Sequence, residues 1–247
     1  MSANTFLTKI KGTAQNDNLP ELGKISFRAI KQNTITNPDY QQAIMLQFKT
    51  GGNRKIKVVS PGAVGLNPAT VDKSTDTELS LSTSYTKVAF KNESYKITID
   101  SKYLLSSFVG RAASGAKGIF DVNIEQFSGA SQLEYLNVAR FTKVTGSVMS
   151  LADCPLIECK LIDNTDINGN LIAFAKCTGL TTLTLAWTSV RGEINELAAA
   201  QVANGRTSGK LFINTSAFIT LDGTLVGENK SKTVIFDSSL PNGYSVS

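Results

Sequence analysis

The stretch TKVTGSVMSLADC (residues 142–154) returns 23 residues later as TDINGNLIAFAKC (residues 165–177) and begins a third time as TSVRGEI (residues 188–194). The three copies share the pattern T-x-[VI]-x-G-x-[VLI], and the first two continue through an apolar position to a cysteine. A fixed period of 20 to 50 residues is typical of solenoids, in which each repeat packs on the next. The pattern therefore predicts a stack of short coils.

A short apolar string of the form L-x-x-L-x-L precedes each copy. The alternation at its end is typical of a strand, with one side chain pointing inward and the next outward. Equivalent strands of successive coils are therefore expected to pair in parallel. The strings are LEYLNV (residues 133–138), LIECKL (residues 156–161) and LTTLTL (residues 180–185).

The repeat is expected to extend beyond its three clear copies, because terminal repeats are usually atypical. Residues 124–127 resemble part of an earlier, degenerate coil. Residues 211–213 and 234–236 resemble two further strands, again 23 residues apart. About five strands are then predicted over residues 135–236.

The first hundred residues show the two-residue alternation of antiparallel strands instead of the 23-residue period. Turn residues at 50–54 and 92–94 predict two β-hairpins, each joining the alternating stretches on either side. A long loop is predicted for residues 60–76. The alternating stretches lie at residues 25–29, 44–48, 56–58, 77–82, 88–90 and 95–99.

Two short helices are also predicted. Asn195 is placed to cap a helix that Gly205 would end. The other helix is expected within residues 101–117, where the chain enters the repeats.

Two domains and an arm are predicted for this chain of 247 residues. Residues 1–19 are the flexible arm, residues 20–117 the β domain, and residues 118–247 the repeats with their caps. Residues 1–120 hold 16 Lys and Arg against 8 Asp and Glu, whereas residues 121–247 hold 9 against 12. A basic half could contact nucleic acid or an acidic protein. Its lysines are scattered among alternating strands, as on ordinary solvated faces, so nucleic acid is not expected as a partner.

The repeat resembles the leucine-rich repeat, in the variant with a T-x-[IV]-x-G-x-[IL] turn. Thr142, Thr165 and Thr188 stand where that family usually has asparagine. The predicted fold class is therefore mainly β: an N-terminal antiparallel β domain followed by a short leucine-rich-repeat-like solenoid with a 23-residue period and a parallel sheet.

The region from residue 77 to residue 105 is similar to the segment that precedes leucine-rich repeats in virion-associated proteins of crAss-like phages that infect Bacteroides. The two resemblances together span residues 24–239. They imply a non-enzymatic structural or accessory protein of a phage particle, such as a capsid decoration, a head-fibre component or a tail-associated component. The implied partners are other virion proteins, and a homo-oligomer is expected.

The composition argues against most enzymes. The chain has no histidine, which excludes Ser-His and Cys-His nucleophile pairs and the commonest metal ligand. It has no glycine-rich phosphate-binding motif. Cys154, Cys159 and Cys177 are expected to be free thiols in the core, because a zinc site would need a fourth ligand that the sequence does not offer. No catalytic residue, cofactor or metal is predicted.

The candidate binding face consists of outward positions on the predicted strands. The face is small and semi-apolar, with Ile162, Phe212 and Ile235 as candidate anchors for a partner. The alternative is that other parts of the same chain cover it. Trp187 either packs at a turn or stacks on a sugar. The predicted face comprises Asn137, Lys160, Ile162, Thr184, Phe212, Asn214, Ile235 and Asp237.

The predicted location is a virion assembled in the host cytoplasm. Residues 1–10 lack the basic start and apolar run of a signal peptide. No segment reaches the roughly 18 apolar residues that a membrane helix needs, so no membrane is expected. Two other functions remain open: an adhesin module that binds host-surface glycan, and an intracellular adaptor that binds one protein partner.

Overall fold

A computed structural model describes residues 23–37, 41–49, 54–59, 63–65, 77–81, 84–111, 118–139, 141–162, 165–219 and 225–247. The described residues form 18 strands, four short 3-10 helices and one α-helix. The first nine strands are β1 (Ile25–Ala29), β2 (Gln41–Phe48), β3 (Arg54–Val59), β4 (Ala63–Gly65), β5 (Thr77–Leu81), β6 (Thr86–Lys91), β7 (Tyr95–Ile99), β8 (Leu105–Arg111) and β9 (Phe120–Asn123).

The remaining strands follow the repeats and the C-terminal region. They are β10 (Tyr135–Asn137), β11 (Lys143–Ser147), β12 (Glu158–Lys160), β13 (Ile167–Asn170), β14 (Thr182–Thr184), β15 (Ser189–Arg191), β16 (Ser208–Ile219), β17 (Leu225–Asp237) and β18 (Tyr244–Val246). The 3-10 helices are η1 (Lys102–Leu104), η2 (Ile124–Phe127), η3 (Val148–Leu151) and η4 (Leu171–Phe174), and the α-helix is α1 (Ile194–Ala203).

The strands form two large sheets, and both sheets run through the N-terminal and the C-terminal parts of the chain. The eight-stranded sheet has the order β15-β13-β11-β9-β1-β7-β3-β5. The ten-stranded sheet has the order β18-β17-β16-β14-β12-β10-β8-β2-β6-β4. The protein is therefore mainly β, as the sequence predicts.

The two sheets face each other across one continuous apolar core. The ring of Phe27 in the eight-stranded sheet lies 5.7 Å from that of Phe108 in the ten-stranded sheet. Phe90 of the ten-stranded sheet contacts Phe120 of the eight-stranded sheet edge to face, with ring centroids 5.2 Å apart. Aromatic pairs of this kind add about 1 kcal/mol each to the gain from burial.

Each repeat gives one strand to each sheet, which is twice the number of strands that the sequence predicts. The L-x-x-L-x-L strings form β10, β12 and β14, which pair in parallel in the ten-stranded sheet. The T-x-[VI]-x-G segments form β11, β13 and β15, which pair in parallel in the eight-stranded sheet. The second strand was missed because its alternation is only three residues long before the glycine interrupts it.

Three of the 3-10 helices, η2, η3 and η4, each connect a strand of the eight-stranded sheet to the next strand of the ten-stranded sheet, and the residue before each of these three helices caps it. The side-chain oxygens of Asn123, Ser147 and Asn170 accept hydrogen bonds from the backbone N–H two residues later, at 2.9, 3.2 and 2.9 Å. Such caps satisfy a backbone donor that has no partner within the helix. The helix at residues 124–127 has the same place and cap, as expected of a degenerate coil.

The predicted division into an antiparallel domain and a separate solenoid with its own sheet is not confirmed, because both sheets are mixed. Antiparallel β1 pairs with β9, and antiparallel β2 pairs with β8. Strands β9 and β8 then pair in parallel with β11 and β10. The boundary at residue 117 stays a prediction, and the predicted arm at residues 1–19 lies outside the described residues.

Both predicted N-terminal hairpins are wrong. Strands β2 and β3 lie in different sheets, and so do β6 and β7, so neither pair of strands forms a hairpin within one sheet. The alternation of apolar and polar residues cannot distinguish a hairpin within one sheet from two strands in facing sheets. In both arrangements the inward side chains reach the same core. The turn after β6 is held by Asn92, whose amide accepts from the Gln32 N–H at 2.8 Å and donates to the carbonyls of Gln32 and Ile35.

Three further expectations need correction. The helix expected within residues 101–117 is not found in its described part, residues 101–111, which form η1 and then β8, with Leu105 and Phe108 buried in the core. The strand at residues 234–236 belongs to β17 and pairs antiparallel with β16, so it is not a further parallel repeat. The long loop at residues 60–76 contains β4, and its other residues lie outside the described part.

The α-helix begins two residues earlier than predicted, after Glu193 and not after a cap at Asn195. Its end is as predicted: Gly205 follows with φ +94°, a left-handed conformation that favours glycine. The helix closes the core beside β18, where Gly243 packs against Val202. This end of the core is therefore covered by the chain itself.

Candidate binding face

The predicted face lies on the outer side of the ten-stranded sheet. Asn137, Lys160, Thr184 and Asn214 occupy directly paired positions on β10, β12, β14 and β16. All four are partly exposed, whereas the residues that precede them are buried. The structure therefore brings half of the predicted face into one straight row across four strands.

A second row runs parallel to the first, two residues earlier on each strand. Tyr135, Glu158, Thr182 and Phe212 occupy its paired positions. Only Phe212 of this row belongs to the face predicted from the sequence. The others were recognisable, because the third position of each L-x-x-L-x-L string points outward like the fifth.

The two rows are joined by an ion pair within one strand. Lys160 Nζ lies 2.9 Å from Glu158 Oε1, and both side chains are about one-third exposed. A partly exposed pair of this kind contributes up to about 1 kcal/mol. The pair links the row of Asn137 to the row of Tyr135 on β12.

The apolar part of the face lies where the parallel strands meet the C-terminal hairpin. Phe212 on β16 is 42 % exposed and Ile235 on β17 is 37 % exposed. Phe212 is paired with Thr233, and Ile235 is paired with Lys210, so the two apolar residues are diagonal neighbours on one side of the hairpin. Diagonal neighbours in a sheet are within reach of each other when one is aromatic.

Polar residues flank this apolar pair. The Asn214 amide donates to the Ser231 hydroxyl at 3.3 Å. Asp237 ends β17, where its carboxylate accepts from the Ser239 N–H at 2.8 Å. The backbone and hydroxyl hydrogen bonds of Ser239 lower the pKa of Asp237, so the carboxylate stays charged near neutral pH.

Two predicted positions are set apart from the rows. Ile162 follows β12 at the turn and is only partly exposed. Trp187 lies at the turn after β14, 52 % exposed, with φ +62°. A non-glycine residue rarely adopts this left-handed conformation. Trp187 lies where the third repeat is one residue shorter than the other two, between its strand and its threonine.

The three cysteines are buried free thiols, as predicted. Cys177 donates its S–H to the Cys154 carbonyl at 3.1 Å, and Cys154 donates to the Phe127 carbonyl at 3.5 Å. Burial raises the pKa of Cys154 to about 12 and that of Cys177 to about 11, and it raises the pKa of Cys159 as well. Thiols in this state are poor nucleophiles and poor metal ligands.

The chain of thiol hydrogen bonds ends in a polar cluster that the sequence analysis did not predict. Gln201 on α1 donates to the carbonyls of Cys177 and Phe174 at 3.1 and 3.0 Å. Its oxygen accepts from Arg206 at 2.9 Å. The Arg206 guanidinium, 5 % exposed at the residue level, lies 4.0 Å from the centre of the Phe236 ring. These contacts are structural, because they close the end of the core.

The described residues contain no group of three or more His, Cys, Asp and Glu side chains that could hold a metal ion. Nor does any α-helix in the described ranges have the length and apolar character needed to cross a membrane. The outer face of the ten-stranded sheet carries two polar rows, one ion pair and an exposed apolar pair.

Comparisons with protein-family models, with curated proteins and with solved structures found no match.

Proposed function

We propose that this chain is a non-enzymatic structural or accessory protein of a phage particle, built as an antiparallel β region that continues into a short leucine-rich-repeat-like solenoid. In this proposal the N-terminal region docks on the particle and the outer face of the ten-stranded sheet binds a further virion protein. The particle location rests on the resemblance of residues 24–239 to virion-associated proteins of crAss-like phages.

The observation that carries the binding role is the exposed apolar pair Phe212 and Ile235 within polar, in-register rows. Aromatic side chains near the centre of a polar surface are typical of the few residues that supply most of the affinity in protein interfaces. The neighbouring rows supply hydrogen-bonding groups at regular spacing along a flat surface. Such a surface suits a partner with an equally flat face.

The docking role of the N-terminal region is supported by the ends of the two sheets. Among the described strands, β5 lies at the N-terminal edge of the eight-stranded sheet and β4 lies at the N-terminal edge of the ten-stranded sheet. A last strand presents unpaired backbone groups that can add a strand from another chain. Either end could therefore receive a capsid or tail protein, or a second copy of this chain.

The test uses the full chain, because one core spans both regions and dissection at residue 117 would expose it. Purified wild type and the double variant Phe212→Ser, Ile235→Ser are added to particles and sedimented. We expect the double variant to bind at least tenfold more weakly, because loss of a central aromatic contact costs about 2 kcal/mol. The matched control is Met149→Ser on η3, an exposed apolar residue away from the face.

If the wild type and the double variant sediment equally with particles, the proposed face is excluded as the binding surface. Loss of binding in the control as well would point to a general loss of folding, which circular dichroism of each variant detects.

The second candidate is a host-glycan adhesin, and it is favoured by the exposed indole of Trp187 alone. Aromatic faces can stack on sugars, and Trp187 is 52 % exposed. Binding of capsular polysaccharide that is lost in Trp187→Ala, with particle binding unchanged, would favour the adhesin.

A further inference from the structure

A polar groove lies on the outer side of the eight-stranded sheet, opposite the proposed binding face. It opens where the antiparallel strand β1 parts from β9. The two strands pair only at Arg28 with Asp121 and at Ala29 with Phe120. Beyond that point the Gln126 side chain, from η2, accepts the hydrogen bond of the Ser26 backbone N–H at 2.5 Å.

The groove has a volume of about 280 Å³. This is near the lower limit for small-molecule sites, so it fits a ligand of one ring and not an extended chain. Strands β7, β1, β9 and β11 supply most of its lining. Its residues are Ser26, Phe27, Arg28, Lys96, Asp121, Asn123, Gln126 and Thr145.

The charged residues of the groove form one row with an excess of positive charge. Arg28 is paired in register with Lys96 on one side and with Asp121 on the other. Like charges directly opposite each other in a sheet are destabilising unless a counter-charge offsets them. The row thus places two cations against one carboxylate.

The surrounding carboxylates do not remove this excess. Arg28 Nη2 is 3.7 Å from Asp121 Oδ2, which is longer than a hydrogen bond, and the arginine side chain is 70 % exposed. Lys143, the next cation in the row, is paired with Asp166 at 3.5 Å. Glu125 Oε1 accepts a hydrogen bond from the Ser147 backbone N–H, at 3.3 Å. Within the described residues, Lys96 has no carboxylate within ion-pair distance.

The remaining lining groups are neutral donors and acceptors. The Ser26 hydroxyl shares a hydrogen bond of 3.2 Å with Thr98. Asn123, Gln126 and Thr145 also line the groove; the side-chain oxygens of Asn123 and Gln126 already accept from the backbone N–H groups of Glu125 and Ser26, which leaves their amide N–H groups and the Thr145 hydroxyl. Such groups recognise hydroxyls, whereas the guanidinium and ammonium groups recognise a carboxylate.

We propose that the groove binds a hexuronic acid, free or as the terminal residue of an acidic saccharide. Its carboxylate lies between Arg28 and Lys96, offsetting the like-charge pair. Its ring hydroxyls face Asp121, Asn123 and Thr145. The proposal is independent of the particle-binding face, because the groove is on the other sheet.

In the test, the isotope-labelled full chain is titrated with sodium glucuronate at low ionic strength. The chemical shifts of the backbone amides are measured by NMR at each step. Glucose, acetate and inorganic phosphate serve as comparison ligands. We expect glucuronate to shift amides around Ser26, Arg28 and Asn123, and to bind at least tenfold more tightly than each comparison ligand. Arg28→Gln and Lys96→Gln are each expected to weaken binding at least fivefold.

The matched control is Lys87→Gln, an exposed lysine on β6 of the other sheet, which removes the same charge elsewhere. It should leave the affinity unchanged. The proposal is overturned if glucuronate does not bind, if acetate or phosphate binds as tightly, if glucose does, or if the groove variants behave like the control. Unchanged amide spectra away from the groove verify that each variant is folded.

Discussion

Gly169 lies directly over Ser147 of the preceding repeat: a Cβ atom added to Gly169 would come within 2.8 Å of the Ser147 hydroxyl oxygen. Ser147 is the residue that caps η3. Gly192 has the same relation to Asn170, the cap of η4, at 2.6 Å. The equal spacing of these glycines along the chain thus follows from the stacking of the repeats. Each glycine leaves room for the side chain that caps the 3-10 helix of the preceding repeat.

Gly169→Ala is expected to lower the free energy of unfolding by roughly 2–4 kcal/mol. The residue has φ +114°, a strained conformation for any side chain, and the new methyl group would overpack against Ser147 and Val148. Urea denaturation of the variant and the wild type measures the change.

The control for that measurement is Gly179→Ala, where an added Cβ would meet only Ile157 at 4.0 Å. A change of similar size in both variants would show that crowding against the cap is not the cause.

Arg206→Met should cost about 3 kcal/mol of stability. The substitution leaves buried acceptors without donors, namely the carbonyls of Leu180 and Lys210 and the side-chain oxygen of Gln201. An unsatisfied buried polar group costs about 1–3 kcal/mol. Thermal unfolding followed by circular dichroism provides the measurement.

Arg191→Met is the matched control, because Arg191 is exposed on the last strand of the eight-stranded sheet. We expect it to change stability by less than about 0.5 kcal/mol. An Arg206 variant as stable as this control would contradict the structural role of the guanidinium.

Stability is expected to fall as the pH rises above about 9. Burial raises the pKa of Cys154 to about 12 and of Cys177 to about 11, from an ordinary value near 9. Between these values the unfolded chain loses thiol protons that the folded chain keeps, so alkali favours unfolding. Below pH 8 both states keep the protons and this contribution is constant.

Urea denaturation at pH 7, 8, 9 and 10 measures this effect, which should reach roughly 1 kcal/mol per thiol at pH 10. The variant with Cys154, Cys159 and Cys177 all changed to Ala should show a shallower decline. Burial also raises the pKa of Tyr95, to about 12, so part of the decline should remain. An equal decline in both proteins would contradict the assignment to thiols.

The apolar pair on the binding face should be dispensable for folding. Phe212→Ser and Ile235→Ser remove side chains that are over one-third exposed, so each should change the melting temperature by no more than about 2 °C. Differential scanning calorimetry of each variant provides the measurement. A large loss of stability would mean that these side chains support the sheet, and would weaken their assignment to a partner.

The sequence predicts the repeats well because their physical signals are local. The period, the alternation that starts at Leu136, Cys159 and Leu183, and the recurring glycine are each determined within one coil and its neighbour. The outward row that contains Asn137 and Lys160 could be predicted for the same reason, since strands of equal spacing pair in register.

The sheet partners of the N-terminal strands could not be predicted in this way. The alternation of Ile44 or Ile97 identifies an inward face, but two facing sheets share one core, and either sheet satisfies the pattern. The groove at Arg28 and Asp121 depends on the pairing of β1 with β9, some ninety residues apart. No local signal predicts that pairing, so this site was missed.

The most direct test of the account is quantitative mass spectrometry of purified phage particles from a culture that produces this chain, normalised to the major capsid protein. The account predicts a fixed copy number per particle that persists through density-gradient purification. Absence from particles, with abundance in infected cells, would contradict the proposed virion role and favour an intracellular binding adaptor.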